Sequence, residues 1–203
     1  MSNIKYYIAN STGKFDSLTT KIISAFGKAE KIATDKLKAN QIDIIFVNAP
    51  GDTIPGTGVG GFSPGPHNVY VSIDPDFKDL AEEDLVLTML HEMHHCMRWR
   101  NPGYGKTLGE AMITEGLASL FEEEISGAKP AYVNVTLKES DLEKAKSYMN
   151  DDTYDHSEWF FGTKGIDKWF GYTYGYKLAK TYSEMTGKKA SALCHTKASL
   201  IIS

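Results

Sequence analysis

The feature that most restricts the fold of this chain is an HExxH motif, His91-Glu92-Met93-His94-His95, inside a stretch with helical spacing of apolar residues. Two histidines four residues apart on a helix lie on one side of it, with Cβ atoms about 5–6 Å apart. The spacing therefore predicts a helix over residues 79–99 whose two histidines face a common point. Its apolar positions are supplied by Leu85, Leu87, Met89, Leu90, Met93 and Met97.

Imidazoles at this spacing are typical ligands of one Zn²⁺ ion. Glu92 lies about 60° from His95 around the helix axis, where a carboxylate can take a proton from metal-bound water. His94 lies about 100° from His95, away from Glu92, and is predicted to stand outside the ligand set. Cys96 is interpreted as a small core residue because no base is placed to activate it as a nucleophile. The alternative interpretation is a surface helix with scattered polar residues.

A catalytic zinc site needs a third protein ligand and leaves its fourth position to water. The extended motif HExxHxxGxxH is absent, since Arg98 and Asn101 replace its glycine and its last histidine. Glu110 and Glu115 remain as candidates, both on a helix predicted over residues 108–125.

Glu110 belongs to the sequence Thr107-Leu-Gly-Glu110, which is a capping box with a structural role at the start of a helix. Glu115 lies on a small, apolar helix face, where a carboxylate is costly unless it is paired or bound to metal. We therefore predict one Zn²⁺ per chain, held by His91, His95 and Glu115.

The rest of the chain predicts an α+β fold, in which a small mixed or antiparallel sheet is followed by helices. A single domain is expected over residues 1–203, with an N-terminal helix region (1–40) and a catalytic core (41–190). Turn residues dominate Pro50–Pro66, with six glycines and four prolines, and predict a long surface loop. Strands are predicted at Ile42–Asn48 and Asn68–Ile73, and further helices at 16–40, 139–149 and 174–186.

Within that loop, Gly56-Thr-Gly58-Val-Gly60-Gly61 matches the G-x-G-x-x-G pattern of dinucleotide-binding proteins. The pattern binds a pyrophosphate only where it opens a helix. Pro64 and Pro66 follow here, so a flexible loop is the better interpretation.

Composition limits the partners that can be expected. The formal net charge is −4 and no stretch is rich in Lys or Arg, which argues against nucleic-acid binding. No run reaches the roughly 18 apolar residues of a membrane span, and the N-terminus lacks the apolar region of a signal peptide. Two cysteines, Cys96 and Cys194, are too few for a disulfide framework. We expect a cytoplasmic protein without membrane or nucleic-acid partners, while its oligomeric state is left open.

These motifs resemble those of gluzincin peptidases, in which a glutamate ligand on a later helix follows HExxH. Nineteen residues separate His95 from Glu115, which is similar to the spacing in thermolysin-like enzymes. The chain is also similar to a family of small predicted zinc-dependent proteases that combine HExxH, an E-G-L-A helix and a G-Y-x-x-G-Y segment. The last two occur here as Glu115–Ala118 and Gly171–Tyr176, and the resemblance covers about residues 42–190.

The resemblance implies a zinc-dependent peptidase that acts on peptides or proteins with Glu92 as general base. It also implies a substrate that pairs with an edge strand above the zinc, for which Asn68–Ile73 is our candidate, and an oxyanion donor downstream. Tyr172 is our choice for that donor, before Tyr176. Tyr174, His195 and His156 are further candidates, and His156 is expected on the surface because its neighbours are acidic.

Two other functions compete with the peptidase. One is a catalytically silent zinc protein that binds peptides or a partner, and the other is a zinc hydrolase with a non-peptide substrate. An intact Glu92 argues against the silent protein, since a site without turnover needs no base at that position.

Overall fold

The computed structural model describes residues 3–202, which form two compact units, one ending at Arg100 and the other beginning at Asn101. Within the described residues, the first unit holds all four strands and the second is helical. The α+β class predicted from the sequence is confirmed, and the sheet is of the mixed type. None of the helices in residues 3–202 is long and apolar enough to cross a membrane.

The first unit follows a strand–helix–strand pattern and then adds an antiparallel pair and a long helix. The predicted strands at 42–48 and 68–73 and the helix carrying HExxH are confirmed, while the first strand was not predicted. In chain order the elements are β1 (Ile4–Ile8), α1 (Thr19–Leu37), β2 (Ile42–Asn48), β3 (Val59–Phe62), β4 (Asn68–Ile73) and α2 (Glu82–Arg100).

The strand order β1-β2-β4-β3 corrects the predicted position of the edge strand. β1, β2 and β4 are parallel, and β3 pairs antiparallel with β4. β4, predicted as the edge above the metal helix, is therefore an interior strand, and β3 is the edge beside it. The reason is that part of the predicted surface loop is extended and pairs with β4.

Glycine makes this pairing possible. A Cβ on Gly60 would overlap the backbone carbonyl of Asp52, which belongs to a short 3₁₀ turn at Pro50–Asp52. The predicted long loop thus contains a turn and a strand packed against each other. Its glycines lead into a strand and do not open a helix, which agrees with rejecting the dinucleotide-binding pattern.

Helices α1 and α2 pack together through sides that the sequence makes small and apolar. In α1, the alanines at positions 25, 29 and 33 are fully buried, which allows close packing of a second helix. Lys21 Nζ donates to the Leu80 carbonyl at 2.6 Å, and Lys28 forms an ion pair with Glu82 at 3.0 Å. These contacts fix the start of α2 and hence the direction of the helix that carries the motif.

The second unit is built around the crossing of two long helices, α3 and α6. The predicted helices at 108–125 and 139–149 are confirmed, and the one at 174–186 begins four residues earlier than expected. The elements are α3 (Leu108–Ser126), α4 (Glu139–Tyr148), α5 (His156–Phe161), α6 (Phe170–Thr186), α7 (Ala190–Leu193) and α8 (Ser199–Ile202).

Two glycines bring the E-G-L-A and G-Y-x-x-G-Y segments into contact. A Cβ on Gly116 of α3 would overlap the backbone of Gly175 on α6, and a Cβ on Gly175 would overlap the Met112 carbonyl. The two helix backbones therefore touch where each segment has a glycine. This contact gives both glycines a packing role and leaves the neighbouring Glu115 fixed on a rigid helix.

Candidate metal centre

His91, Glu92 and His95 form a compact, buried group on α2. Each side chain is less than 8% exposed. The two imidazole rings have centroids 4.5 Å apart and stand nearly perpendicular, at 88°. One donor atom from each of the three residues lies within 4.8 Å of the others. The local spacing predicted from the sequence thus brings two imidazoles and a carboxylate together.

This donor set fits a zinc ion. Zinc binds imidazole nitrogen and carboxylate oxygen at about 2.0–2.2 Å, so two ligand atoms on one ion are at most about 4.4 Å apart. The imidazole nitrogens of His91 and His95, which lie within 4.8 Å of each other, are therefore close to the spacing of two ligands of one ion.

The edge strand β3 contacts Glu92 directly, through Gly61. A Cβ on Gly61 would lie 2.6 Å from Cγ of Glu92 and 2.7 Å from its Oε1, so only glycine leaves room for this carboxylate. Sequence reasoning missed this contact because it joins segments about thirty residues apart. The available signal was a glycine pair next to valine and phenylalanine, since glycine in a strand marks a close approach of backbone.

The residues that follow β3 tie it to α2. The buried Ser63 hydroxyl donates to the backbone carbonyl of Glu92 at 2.8 Å. Trp99 Nε1 donates to the backbone carbonyl of Ser63 at 3.2 Å. Both hydrogen bonds are made by Ser63, so the chain directly after β3 is attached to α2 at Glu92 and at Trp99.

The backbone of Gly61 faces the open side of the sheet. Asp74 N donates to the Gly58 carbonyl at 2.9 Å, in the register that continues through Gly60 and Ser72. Antiparallel partners alternate between exchanging hydrogen bonds and facing outward. The backbone N–H and C=O groups of Val59 and Gly61 therefore point away from β4. The Val59 carbonyl already accepts a hydrogen bond from Ile54 N at 2.8 Å. The backbone N–H and C=O of Gly61 therefore point to the outer edge of the sheet, beside Glu92.

Cys96 is a core residue, as the sequence suggested. Its side chain is fully buried, and burial raises the pKa of its thiol to about 12. The hydrogen bond with Ser63 lowers this pKa, and the Glu92 charge raises it. A thiol with that pKa is almost entirely protonated at neutral pH and is a poor nucleophile.

Glu115 and Glu110 have different environments on α3, in the second unit. The predicted capping box is confirmed: Glu110 Oε2 accepts from the backbone N of Lys106 at 2.8 Å and of Thr107 at 3.1 Å. Glu115 is 5% exposed, and its Oε1 accepts a hydrogen bond from the Tyr104 hydroxyl. Glu110 thus has the structural role expected of it, and Glu115 as third ligand stays a prediction.

Two of the candidate oxyanion donors are engaged in other contacts. The Tyr176 hydroxyl donates to Glu123 Oε2 at 2.6 Å and accepts from Lys180 at 3.0 Å. His195 is exposed, with its Nδ1 2.7 Å from the Asn101 carbonyl oxygen. Tyr176 has therefore already used its donor, which makes it less suited to an oxyanion than the sequence suggested.

Tyr172 and His156 lie in an aromatic group of the second unit. Tyr172 is half-buried, with its ring centroid 5.1 Å from Phe160 and 5.2 Å from Tyr132. His156 also stacks on Phe160, with ring centroids 4.2 Å apart, and is half-buried, which corrects the expectation of a surface residue. Burial lowers the pKa of His156, and the charges of Glu115 and Asp155 oppose that shift.

Comparison with known proteins gives one family. A family model described as "Predicted Zn-dependent protease (DUF2268)" matches residues 22–203. No curated protein and no solved structure matches the chain. The matched range includes the HExxH helix, the E-G-L-A helix and the G-Y-x-x-G-Y segment.

Proposed function

The chain belongs to the DUF2268 family of predicted Zn-dependent proteases, and we propose from this that it hydrolyses peptide bonds with a zinc ion held by His91, His95 and Glu115. The observation that carries the proposal is the buried group of His91, Glu92 and His95 on one helix, directly beside a sheet edge. A peptidase needs both parts, a metal with an adjacent base and a surface that aligns an extended chain.

In this proposal Glu92 is the general base. When bound, zinc supplies the Lewis acidity that makes water a nucleophile at neutral pH. The Glu92 carboxylate takes the proton from the attacking water and then delivers it to the leaving amine. Gly61 and Ser63 hold Glu92 from two sides, through side-chain contact and through its backbone carbonyl. That support keeps the base in place without adding a competing charge.

The substrate is proposed to pair with β3. The outward N–H and C=O of Gly61 offer one donor and one acceptor to an extended peptide, as in strand addition to a sheet edge. Because the same residue contacts Glu92, a peptide bound there would run past the base. β3 thus takes the role that the sequence assigned to the strand at 68–73.

The Tyr172 hydroxyl is proposed as the donor to the developing oxyanion, as expected from the sequence. A preorganised donor of this kind is worth about 10²–10³ in turnover. Tyr154 and His156 are the alternatives within the same unit, since the charge of Glu115 acts on both. Replacing Tyr172 and Tyr154 by phenylalanine, one at a time, separates them.

The experiment that tests the function combines metal content with turnover. Protein purified without chelator is expected to hold about one zinc per chain, and the His95→Ala variant none. The zinc-loaded protein is then tried on a library of internally quenched peptides, with and without chelator. Absence of zinc uptake, or full cleavage after zinc removal, would contradict the proposal.

A further inference from the structure

Three partly exposed aromatic rings lie side by side in the second unit and form what we call the aromatic platform: Phe161, Trp169 and Tyr172. Phe161 is 44% exposed, and the other two are half-buried. Ring centroids are 6.0 Å apart for Phe161 and Trp169 and 5.6 Å for Trp169 and Tyr172. Rings at such distances pack as tilted pairs, which leaves a continuous aromatic surface.

The platform keeps a bulky side chain at a position that would suit glycine. Trp169 has φ +72°, in the left-handed region that large residues rarely occupy. Its backbone is held there by the hydrogen bond from Trp169 N to the Phe160 carbonyl at 3.0 Å, and its own carbonyl accepts from Thr173 N. Strained residues of this kind persist mainly where the side chain has a use.

The platform is anchored to the same face of α3 as Glu115. The Tyr132 hydroxyl donates to Glu122 and also interacts with Ser119. Glu115, Ser119 and Glu122 are spaced i, i+4 and i+7, so they share one helix face. The Tyr132 ring in turn contacts Tyr172 at 5.2 Å and Trp169 at 6.0 Å. The platform is thus connected through Tyr132 to Glu122, and Glu122 lies about 10 Å along the axis of α3 from Glu115.

The ammonium group of Lys168 lies over the aromatic platform. Lys168 Nζ lies 4.4 Å from the Trp169 ring centroid. The neighbouring Lys138 and Lys164 are paired with Asp167 and Asp155. Within residues 3–202, Lys168 itself has no ion pair. The surface therefore combines aromatic area with one positive charge that a carboxylate can match.

We propose that the aromatic platform is a specificity subsite, which binds an aromatic side chain of the peptide substrate next to a carboxylate. The inference rests on the proposed peptidase function. The aromatic side chain of the substrate packs against Trp169 and Phe161, and Lys168 forms an ion pair with the carboxylate of the substrate.

Binding is measured by calorimetry on the zinc-loaded, full-length Glu92→Gln protein, so that no probe is cleaved. The probes are acetyl-Phe-Asp-amide, its Ala-Asp and Phe-Asn analogues, and acetyl-Phe with a free carboxyl terminus. We expect the Phe-Asp probe to bind about tenfold more tightly than the Ala-Asp probe. Tighter binding of acetyl-Phe than of the Phe-Asp probe would identify the chain terminus as the source of the carboxylate. Tighter binding of the Phe-Asp probe would identify an acidic side chain as its source.

The decisive variant is Trp169→Gly, which removes the ring while suiting the left-handed backbone. We expect it to lose about tenfold in affinity for the Phe-Asp probe, and Lys168→Gln to lose affinity only for probes with a carboxylate. Phe161→Ala is a second, surface variant in case Trp169→Gly unfolds, and Met185→Ala is the control because Met185 is 80% exposed elsewhere on α6. Equal affinity for Phe and Ala probes, or no loss in either platform variant, would overturn the proposal.

Turnover then separates the two proposals. If the wild type cleaves peptides but the platform variants keep the same preference in kcat/KM between Phe and Ala substrates, the subsite is wrong and the peptidase stands. If the Phe probes bind through Trp169 but the wild type cleaves no peptide, the peptidase is wrong and the binding surface stands.

Discussion

Gly61 and Glu92 are in close contact: a Cβ on Gly61 would lie 2.7 Å from Oε1 of Glu92. The edge strand and the proposed base are thus fitted to each other.

Gly61→Ala should lower kcat at least about tenfold with little change in zinc content, because the new methyl group displaces the Glu92 carboxylate. Steady-state kinetics on a quenched peptide and elemental analysis provide the two measurements. Gly65→Ala is the matched control, since a Cβ at Gly65 meets nothing within 4 Å. Equal activity in both variants would show that the close contact does not position the base.

Glu92→Gln should keep its zinc and lose about 10²–10⁴-fold in kcat, because the amide cannot accept the proton of the attacking water. Metal content and single-turnover cleavage are measured on the same preparation. Glu83→Gln, in the first turn of the same helix, serves as the control. Full activity of Glu92→Gln would remove Glu92 from the mechanism.

Glu115→Ala should weaken zinc binding far more than Glu110→Ala, because only the former removes a predicted ligand. Glu110→Ala should instead cost about 0.5–2 kcal/mol of unfolding free energy through loss of the capping box. Tyr104→Phe is an additional control, since it removes the hydrogen bond to Glu115 and keeps the carboxylate. Competition with a zinc-binding dye gives the affinities, and equal metal loss in the two glutamate variants would refute the assignment.

Tyr172→Phe should lower kcat by about 10²–10³ if its hydroxyl stabilises the oxyanion, with KM and zinc content nearly unchanged. Tyr148→Phe is the control, because Tyr148 is 45% exposed on α4. A normal kcat for Tyr172→Phe together with a low one for Tyr154→Phe would move the role to Tyr154.

Gly175→Ala should destabilise the protein by about 1–3 kcal/mol or more, since the methyl group has no space against the α3 backbone. Gly27→Ala is the opposite control: a Cβ at Gly27 meets nothing within 4 Å, and alanine favours a helix by up to about 1 kcal/mol. Urea unfolding followed by circular dichroism gives both values. A Gly175→Ala variant as stable as the wild type would contradict the backbone contact.

The sequence predicted well what local pattern determines. β2 and β4 fall at the predicted residues, and α2 and α3 within a few residues of theirs, since each has a clear periodicity. The grouping of His91, Glu92 and His95 was predictable for the same reason, because one helical turn brings them together. The capping box of Glu110 is local too, so its role could be read from four residues.

The features that were missed depend on contacts between distant segments. β3 has four residues, two of them glycine, and no periodicity that distinguishes a strand from a loop. Its pairing with β4 made β4 an interior strand, which no pattern within Asn68–Ile73 could reveal. The early start of α6 was hidden by Gly171, whose lack of a Cβ accommodates the Phe160 ring and at the same time weakens the helical pattern.

The glycines of β3 also limit what this strand can discriminate. Beside Glu92 the edge offers a peptide only main-chain groups, and main-chain pairing is the same for every amino acid except proline. A peptide bound to these main-chain groups would have its direction and register determined, whatever its side chains are. Any preference for particular peptides beside Glu92 must then originate in residues other than these two glycines, such as the exposed Phe62 at the end of β3.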